Sequence, residues 1–487
     1  MASIPGMLAL ALSATFLSVH ALNPIIVQEQ EFIDSVTNQR FMVLGVDYQP
    51  GGQGAYNPVN TADPLSNGTI CLRDAALMQN LGVNTIRSYN VDPALSHDEC
   101  ASIFNMAGIY MILDVNSPLG GQSIDRADPA STYNTAYLSH IFGVVEAFKS
   151  YPNTLGFFAG NEIINSNTTA TQNPQYIRAV QRDLKNYISA HASRPIPVGY
   201  SAADIREVLQ DTWAYLQCDN SANGTDISRS DFFGLNSYSW CGSGSSFQTS
   251  GYDQLVAIFS NTTIPVFFSE YGCNDPQPRV FDEVTTLYGP EMTVMSGGLV
   301  YEWTQETANY GIITTFPNDS AQLRGDYDAL EGKYSQLNLT LIESRNSTAT
   351  NLQPPKCNSN LISADGFSTN FDIPSAPDGA DALIAAGIST PPTGSIVFVT
   401  QTAVQVQVLA SNGAMISGLS ITSASGANKP GDGSLQTGAL SRTTSGAASS
   451  TGGVAAATSS AAAVQTAISH GIWAAGCAGA MAVLVAS

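Results

Sequence analysis

The sequence predicts an α/β fold, a (β/α)8 barrel of the TIM type, followed by a small β-rich appendage and a disordered Ser/Thr-rich stalk. Three observations carry this reading. Eight short apolar runs recur through residue 304, helix-compatible segments separate most of them, and no G-x-G-x-x-G or G-x-x-x-x-G-K-[ST] loop is present to favour a doubly wound nucleotide-binding sheet.

The runs lie at 41–49, 85–90, 110–115, 154–162, 196–201, 231–238, 264–271 and 297–304, and each reads as a buried strand. Among the intervening stretches, 135–150 and 174–191 suit helices. Strands alternating with helices make a parallel sheet, and eight of them close a barrel. The catalytic domain is therefore expected over 22–345, with chemistry at the carboxyl ends of the strands.

Beyond it, 346–422 mixes Pro, Gly and Asp turns with two strand-like runs, 395–400 and 404–410, and reads as the β-rich appendage. Residues 423–460 are so rich in Ser, Thr, Gly and Ala, and so poor in large apolar side chains, that they suit an O-glycosylated stalk. Residues 1–21 form an uncharged apolar leader ending Val19-His20-Ala21, a signal peptide. At the other end, 461–487 is expected to be a glycosylphosphatidylinositol attachment signal, its apolar tail 471–487 being too short and too rich in Ala and Gly to favour a spanning helix. Ser459 and Ser460 are the best-spaced attachment residues.

Export fits the cysteines. Six of the seven fall between Cys71 and Cys357, with Cys477 in the tail, so three disulfides are expected, which spacing alone leaves open among 15 pairings. Seven Asn-x-Ser/Thr acceptors, Asn67, Asn167, Asn223, Asn261, Asn318, Asn338 and Asn346, point to a glycosylated surface. The formal charge of −21 disfavours nucleic acid and anionic membranes as partners and leaves a neutral polymer such as a sugar chain. No metal-ligating cluster or cofactor motif appears, so neither metal nor cofactor is expected. Absence of G-x-S-x-G and H-E-x-x-H likewise disfavours a serine hydrolase triad or a metalloprotease.

Two glutamates carry the chemistry. Glu162 closes TLGFFAGNE and Glu270 lies near the end of IPVFFSEY, the fourth and seventh runs, so both reach the same mouth of the barrel. An unpaired charge beside Phe157, Phe158, Phe267 and Phe268 costs several kcal/mol, about enough to require a reason for it. Retaining glycoside chemistry supplies one, since it needs one protonated carboxyl and one ionised carboxylate about 5 Å apart. Asn161 offers an amide for a sugar 2-hydroxyl, and Tyr271 is placed to orient Glu270. Aromatics near other strand ends, Tyr48, Tyr89, Tyr238, Trp240, Tyr301 and Trp303, suggest stacking subsites for pyranose rings. Asn236, Asp114 and Arg87 are polar residues in similar positions, Arg87 equally suited to a structural ion pair.

The motifs GVDYQPGG (45–52), NTIRSYNVDP (84–93), YMILDV (110–115), FFAGNEI (157–163), NSYSWCG (236–242), FFSEYGC (267–273) and GGLVYEW (297–303) together resemble those of the fungal GPI-anchored β-1,3-glucanosyltransferases of glycoside hydrolase family 72. The resemblance spans about 22–357. It implies Glu162 as acid/base and Glu270 as nucleophile, with Tyr89, Tyr238, Tyr301 and Tyr310 lining subsites for β-1,3-glucan donor and acceptor chains. It implies the pairs Cys71–Cys100, Cys218–Cys357 and Cys241–Cys273, and a location on the outer leaflet of the plasma membrane or in the wall. A cysteine-rich module carried by some members has no counterpart, since no cysteine falls between Cys357 and Cys477.

Overall fold

The computed structural model describes residues 21–431 apart from 53–55, 61–62, 347–351 and 389–392. The expected leader up to His20, the attachment signal, Ser459, Ser460 and most of the stalk lie outside the described residues.

The chain opens on a small antiparallel sheet, β1 (Ile25–Gln28), β2 (Glu31–Asp34) and β3 (Arg40–Phe41). Eight parallel strands follow, β4 (Val43–Asp47), β5 (Thr85–Ser88), β6 (Tyr110–Asp114), β7 (Thr154–Asn161), β8 (Val198–Ala203), β9 (Phe233–Ser237), β10 (Val266–Tyr271) and β11 (Met295–Val300). They close in chain order, β11 pairing with β4. All eight predicted runs are these strands. Nearly every strand residue is buried, as in a sheet covered by helices on one face and filled by side chains on the other. Gly297, at φ +88°, serves the closing seam: a Cβ there would lie 2.1 Å from the Val43 carbonyl oxygen.

Inside the barrel the amino-terminal end is dry. Phe41, Val43, Tyr110, Ile112, Leu155, Phe158, Phe232, Phe267 and Leu299 pack with Ile25 and Phe32 of the opening sheet, which plugs that end. Phe32 meets the rings of Phe232 and Phe267, both at 5.8 Å between centroids. This plug leaves only the opposite end open for polar chemistry.

The region after the barrel differs from expectation. Residues 395–400 form no strand; their amides are taken by side chains of the helix Asp98–Met106, Ser395 N donating to Asp98 Oδ1 (2.7 Å) and Val397 N to Ser102 Oγ (2.8 Å). Of 404–410 only β14 (Val408–Leu409) pairs, joining a four-stranded sheet with β12 (Ile313–Thr315), β13 (Ala321–Leu323) and β15 (Met415–Ile416). The β-rich element is thus shared between barrel and extension. The rest is a strap laid on the outer helices. Ser363 N and Ala364 N donate to the Asp211 carboxylate (3.0 and 2.6 Å), and Phe371 stacks on Tyr215 at 4.7 Å.

The strap also runs past the expected start of the stalk at Ser423. Ala424 N donates to Met106 O (2.8 Å), and the buried Asn428 amide donates to Gln79 O (3.1 Å) and Val83 O (3.0 Å). Composition misses this because two backbone carbonyls exposed at a helix end and a turn provide the partners, not apolar burial. Disulfides join Cys71 to Cys100, Cys218 to Cys357 and Cys241 to Cys273, the second tying the strap to the barrel.

Replacing Asn428 by Ala takes the side-chain donor from Val83 O and leaves Gln79 O with only the Gly82 N–H (3.3 Å), and should cost about 1–3 kcal/mol, read as a fall in Tm. Lys429→Ala next door, which loses only the partly exposed pair with Glu343, should change stability by less than about 1 kcal/mol.

Candidate active site

Glu270 sits in β10 with 9 % of its surface exposed. The register against β9 shifts between Phe268 and Glu270, so that Ser269 and Glu270 both reach polar partners of the mouth. Three donors converge on its carboxylate: Tyr89 Oη on Oε1 (2.9 Å), Arg87 Nη1 on Oε1 (3.3 Å) and Tyr238 Oη on Oε2 (2.6 Å). Burial pushes this carboxyl up to about 7; Arg87 opposes the rise, the nearby Glu162 charge adds to it, and the two tyrosine hydrogen bonds pull it back. All three neighbours donate, so the arrangement is built around the ionised form.

Glu162 follows the last residue of β7 and takes φ +50°, a left-handed conformation that costs a non-glycine residue roughly 1–2 kcal/mol. Its backbone N–H donates to Ser201 O on β8 (2.8 Å), which fixes the bend. Its Oε1 accepts from Asn236 Nδ2 (2.9 Å). Asn236 also donates to Asn161 Oδ1 (3.1 Å), while its own Oδ1 accepts from Ser201 and Ser269 hydroxyls (3.0 and 2.8 Å).

Arg87 joins the two halves. Its guanidinium is fully buried, and every N–H is used: Nε and Nη2 on the two Asp114 oxygens (3.0 and 2.8 Å), Nη2 on Asn161 Oδ1 (3.0 Å), Nη1 on Ser269 O (3.1 Å) and Glu270. The planar group lies between the rings of Tyr89 and Phe158, at 4.3 and 4.5 Å. A continuous hydrogen-bonded path therefore runs from Glu270 through Arg87, Asn161 and Asn236 to Glu162. With Asn161 Oδ1 occupied twice, its amide nitrogen is left as a donor for the cleft.

Tyrosines form one wall. Tyr301 packs edge-on against Tyr89 (6.5 Å), Tyr238 (6.2 Å) and Tyr310 (5.2 Å), and Tyr310 meets Tyr238 at 5.6 Å. The Cys241–Cys273 bond links the loops that follow Tyr238 and Glu270. Four other aromatic expectations are corrected. Tyr48 is wholly buried and hydrogen-bonds Asp74 (3.1 Å); Trp240 packs on Tyr252 at 5.3 Å; Trp303 is fully buried against Tyr327. Tyr271 does not orient Glu270, because its hydroxyl reaches Tyr334 (3.2 Å) in the outer shell. Neighbours along a strand face opposite sides, so nearness to Glu270 in sequence sends Tyr271 away from it.

Sequence reasoning passed over several residues of the mouth. Asp204, just beyond β8, pairs with Arg206 (Arg206 Nη2 to Asp204 Oδ2, 3.0 Å) and accepts from Ser237 (2.7 Å). Gln49 Oε1 receives the Tyr89 and Asn90 amides (3.2 and 3.3 Å). Asp47, the last residue of β4, is fully buried beside Arg87 and Tyr89. Their one sequence signal is a polar residue at or just past the carboxyl end of an apolar run. Beside Tyr301, burial together with the adjoining Glu306 pushes Glu302 up to about 8.

Comparison with known proteins agrees with this geometry. A glucanosyltransferase family model, glycoside hydrolase family 72, matches residues 14–338. The chain is 53% identical over 424 residues to the 1,3-beta-glucanosyltransferase gel2 of Aspergillus fumigatus, covering 86% of this chain and 88% of that protein. It is 46% identical to the 1,3-beta-glucanosyltransferase GAS4 of Saccharomyces cerevisiae, covering 70% of this chain and 71% of the relative. Among solved structures, Saccharomyces cerevisiae Gas2p in complex with laminaripentaose superposes with a TM-score of 0.65 at 34% identity, over 74% of this chain and 78% of that one. The chain belongs to the glucanosyltransferases of glycoside hydrolase family 72.

Proposed function

We propose that this protein is a 1,3-beta-glucanosyltransferase that cleaves an internal β-1,3-glucan bond by double displacement and passes the glycosyl group to the non-reducing end of another β-1,3-glucan. The single observation that carries the assignment of roles is the unequal setting of the two carboxyls. Glu270 is enclosed by Arg87, Tyr89 and Tyr238, all donating, which suits a nucleophile held as its anion. Glu162 is more open and receives one amide, which suits a group that must gain and lose a proton.

In the first step Glu270 attacks the anomeric carbon while Glu162 protonates the departing oxygen. In the second, Glu162 takes the proton of the acceptor 3-hydroxyl as that oxygen displaces Glu270. Asn161 is positioned to donate to the 2-hydroxyl, and Asp114 to hold Arg87 in plane. Tyr89, Tyr238, Tyr301 and Tyr310 supply the wall against which sugar rings lie.

The rest of the reading concerns the surface. Among the acceptor asparagines, Asn67, Asn167, Asn223, Asn261, Asn318 and Asn338 are exposed and Asn346 is half-buried, all compatible with glycans. Asn67 caps a helix through Oδ1, accepting from Thr69 and Ile70, which leaves the nitrogen free for a glycan. We place the protein at the cell surface, lipid-anchored through Ser459 or Ser460 to the outer leaflet or retained in the wall.

Incubation with a reduced laminari-oligosaccharide should yield products longer than the substrate; only shorter ones would make the protein a hydrolytic endo-β-1,3-glucanase. Glu162→Gln and Glu270→Gln should each reduce transfer at least about 100-fold. Tyr238→Phe removes a donor that favours ionised Glu270, so the acid limb of kcat/KM, where Glu270 takes up its proton, should move upward by about one pH unit. A limb that stays in place would contradict the nucleophile assignment.

A further inference from the structure

Asp47 has no place in the reaction so far. It ends β4, opposite Arg87 in the β4–β5 register, and is wholly shielded from solvent. Among the described residues, none donates a hydrogen bond to either of its carboxyl oxygens, from side chain or backbone. Facing it are Arg87 and Tyr89 from β5 and the turn after it, Asp114 from β6, Glu270 from β10, Tyr238 past β9 and Tyr301 past β11.

Donor counting decides its form. Arg87 is the one cation among these neighbours, and its five N–H bonds go to Asp114, Asn161, Ser269 and Glu270, leaving none for Asp47. One positive charge already faces two carboxylates, Asp114 and Glu270. A third anion, buried and without a donor, would cost several kcal/mol, about what drives such a group to neutralise. Burial above all, with the Glu270 and Asp114 charges adding, raises Asp47 well beyond the ordinary carboxylate range against the pull of Arg87 and of the Tyr89 hydroxyl beside it.

Tyr89 lies alongside it, and that tyrosine's only proton goes to Glu270 Oε1 at 2.9 Å. Toward Asp47 the Tyr89 oxygen can therefore only accept. We propose that Asp47 is a positioning residue: a neutral carboxylic acid whose proton is donated to Tyr89 Oη, completing a path Asp47 to Tyr89 to Glu270 that fixes the tyrosine hydroxyl on the nucleophile. A hydroxyl that accepts one hydrogen bond donates a stronger one, so Asp47 strengthens the hold on the Glu270 anion without adding charge beside it. An ionised aspartate here would do the reverse, competing with Glu270 for the same tyrosine proton. The inference rests on Glu270 being the nucleophile.

The test uses the full secreted chain, with transfer followed on a reduced laminari-oligosaccharide. Asp47→Leu, similar in shape but without a donor, should lower kcat about tenfold and move the acid limb of kcat/KM upward. Asp47→Asn, whose amide can still donate to Tyr89, should restore activity to within about threefold of wild type and leave the acid limb where it is, because a neutral group replaces a neutral group. Were Asp47 an anion, that same variant would remove a negative charge next to Glu270 and lower the limb by about one unit or more, which would overturn the proposal. Equal activity of Asp47→Leu and wild type would overturn it too.

Infrared difference spectra of wild type against Asp47→Asn, taken near pH 6 without substrate, give a readout that needs no turnover. A protonated-carboxyl band assigned to Asp47 supports the proposal, and a carboxylate band sinks it, even if Asp47→Leu fails to fold. If wild type itself forms neither longer nor shorter products, the reaction reading fails while the infrared result on Asp47 still stands.

Discussion

The Arg87 guanidinium is the interaction on which the rest of the site depends. It is a fully buried cation, and such a charge persists only when its surroundings provide anions and acceptors for every donor. Here Asp114 takes it bidentately, Asn161 and Glu270 take it from the two carboxyl-bearing strands, and a main-chain carbonyl takes the remainder. The five donors lie in one plane, so satisfying them sets the relative positions of β5, β6, β7 and β10. A lysine would carry the same charge but lack the fork that spans these strands.

That cation sits at a boundary inside the barrel. Beneath it Phe158 belongs to the dry cluster closed by Phe32 of the opening sheet, and beside it Tyr89 belongs to the cleft. The plug keeps water from the underside of the carboxyl network, which strengthens each charged hydrogen bond. It also makes burial the largest influence on Glu270, lifting that group while the donors work against the lift. The strained bend at Glu162 belongs to the same economy of placement: its left-handed φ swings the carboxyl off the β7 line, and the Ser201 carbonyl on β8 holds the bend.

Much of this was legible in the sequence, and what was not has identifiable causes. Eight runs gave eight strands because a covered parallel sheet is apolar on both faces and announces itself as short hydrophobic stretches. Glu162 and Glu270 were legible because charge after such a run is rare. Tyr48, Trp240, Trp303 and Tyr271 misled because an aromatic near a strand end has the same letter whether it faces the cleft or the helical ring. The strap escaped because its backbone bonds to Asp98, Ser102 and Asp211 on helices, leaving no period of two to detect. Asp47 escaped for a different reason. Its meaning lies in donors already spent on Asp114, Asn161 and Glu270, a count that exists only once the barrel has closed.

The choice between water and sugar as acceptor follows from the same packing. Water is abundant but unheld, whereas a sugar held against a fixed wall can reach an effective molarity of about 10^5 M or more. The wall here is fixed in layers. Tyr238 is tied to Glu270, Tyr301 is wedged among Tyr89, Tyr238 and Tyr310, and the Cys241–Cys273 bond joins the loops behind them. Rings locked in this way lose little freedom when a pyranose arrives, so more of the contact energy is available to hold the acceptor. The Tyr238 hydroxyl serves both tasks, donating to the nucleophile while its ring belongs to the wall. Geometry that steadies the glycosyl-enzyme's carboxyl is thereby the geometry that receives the next sugar, and a preference for transfer needs no catalytic group beyond those the barrel already aligns.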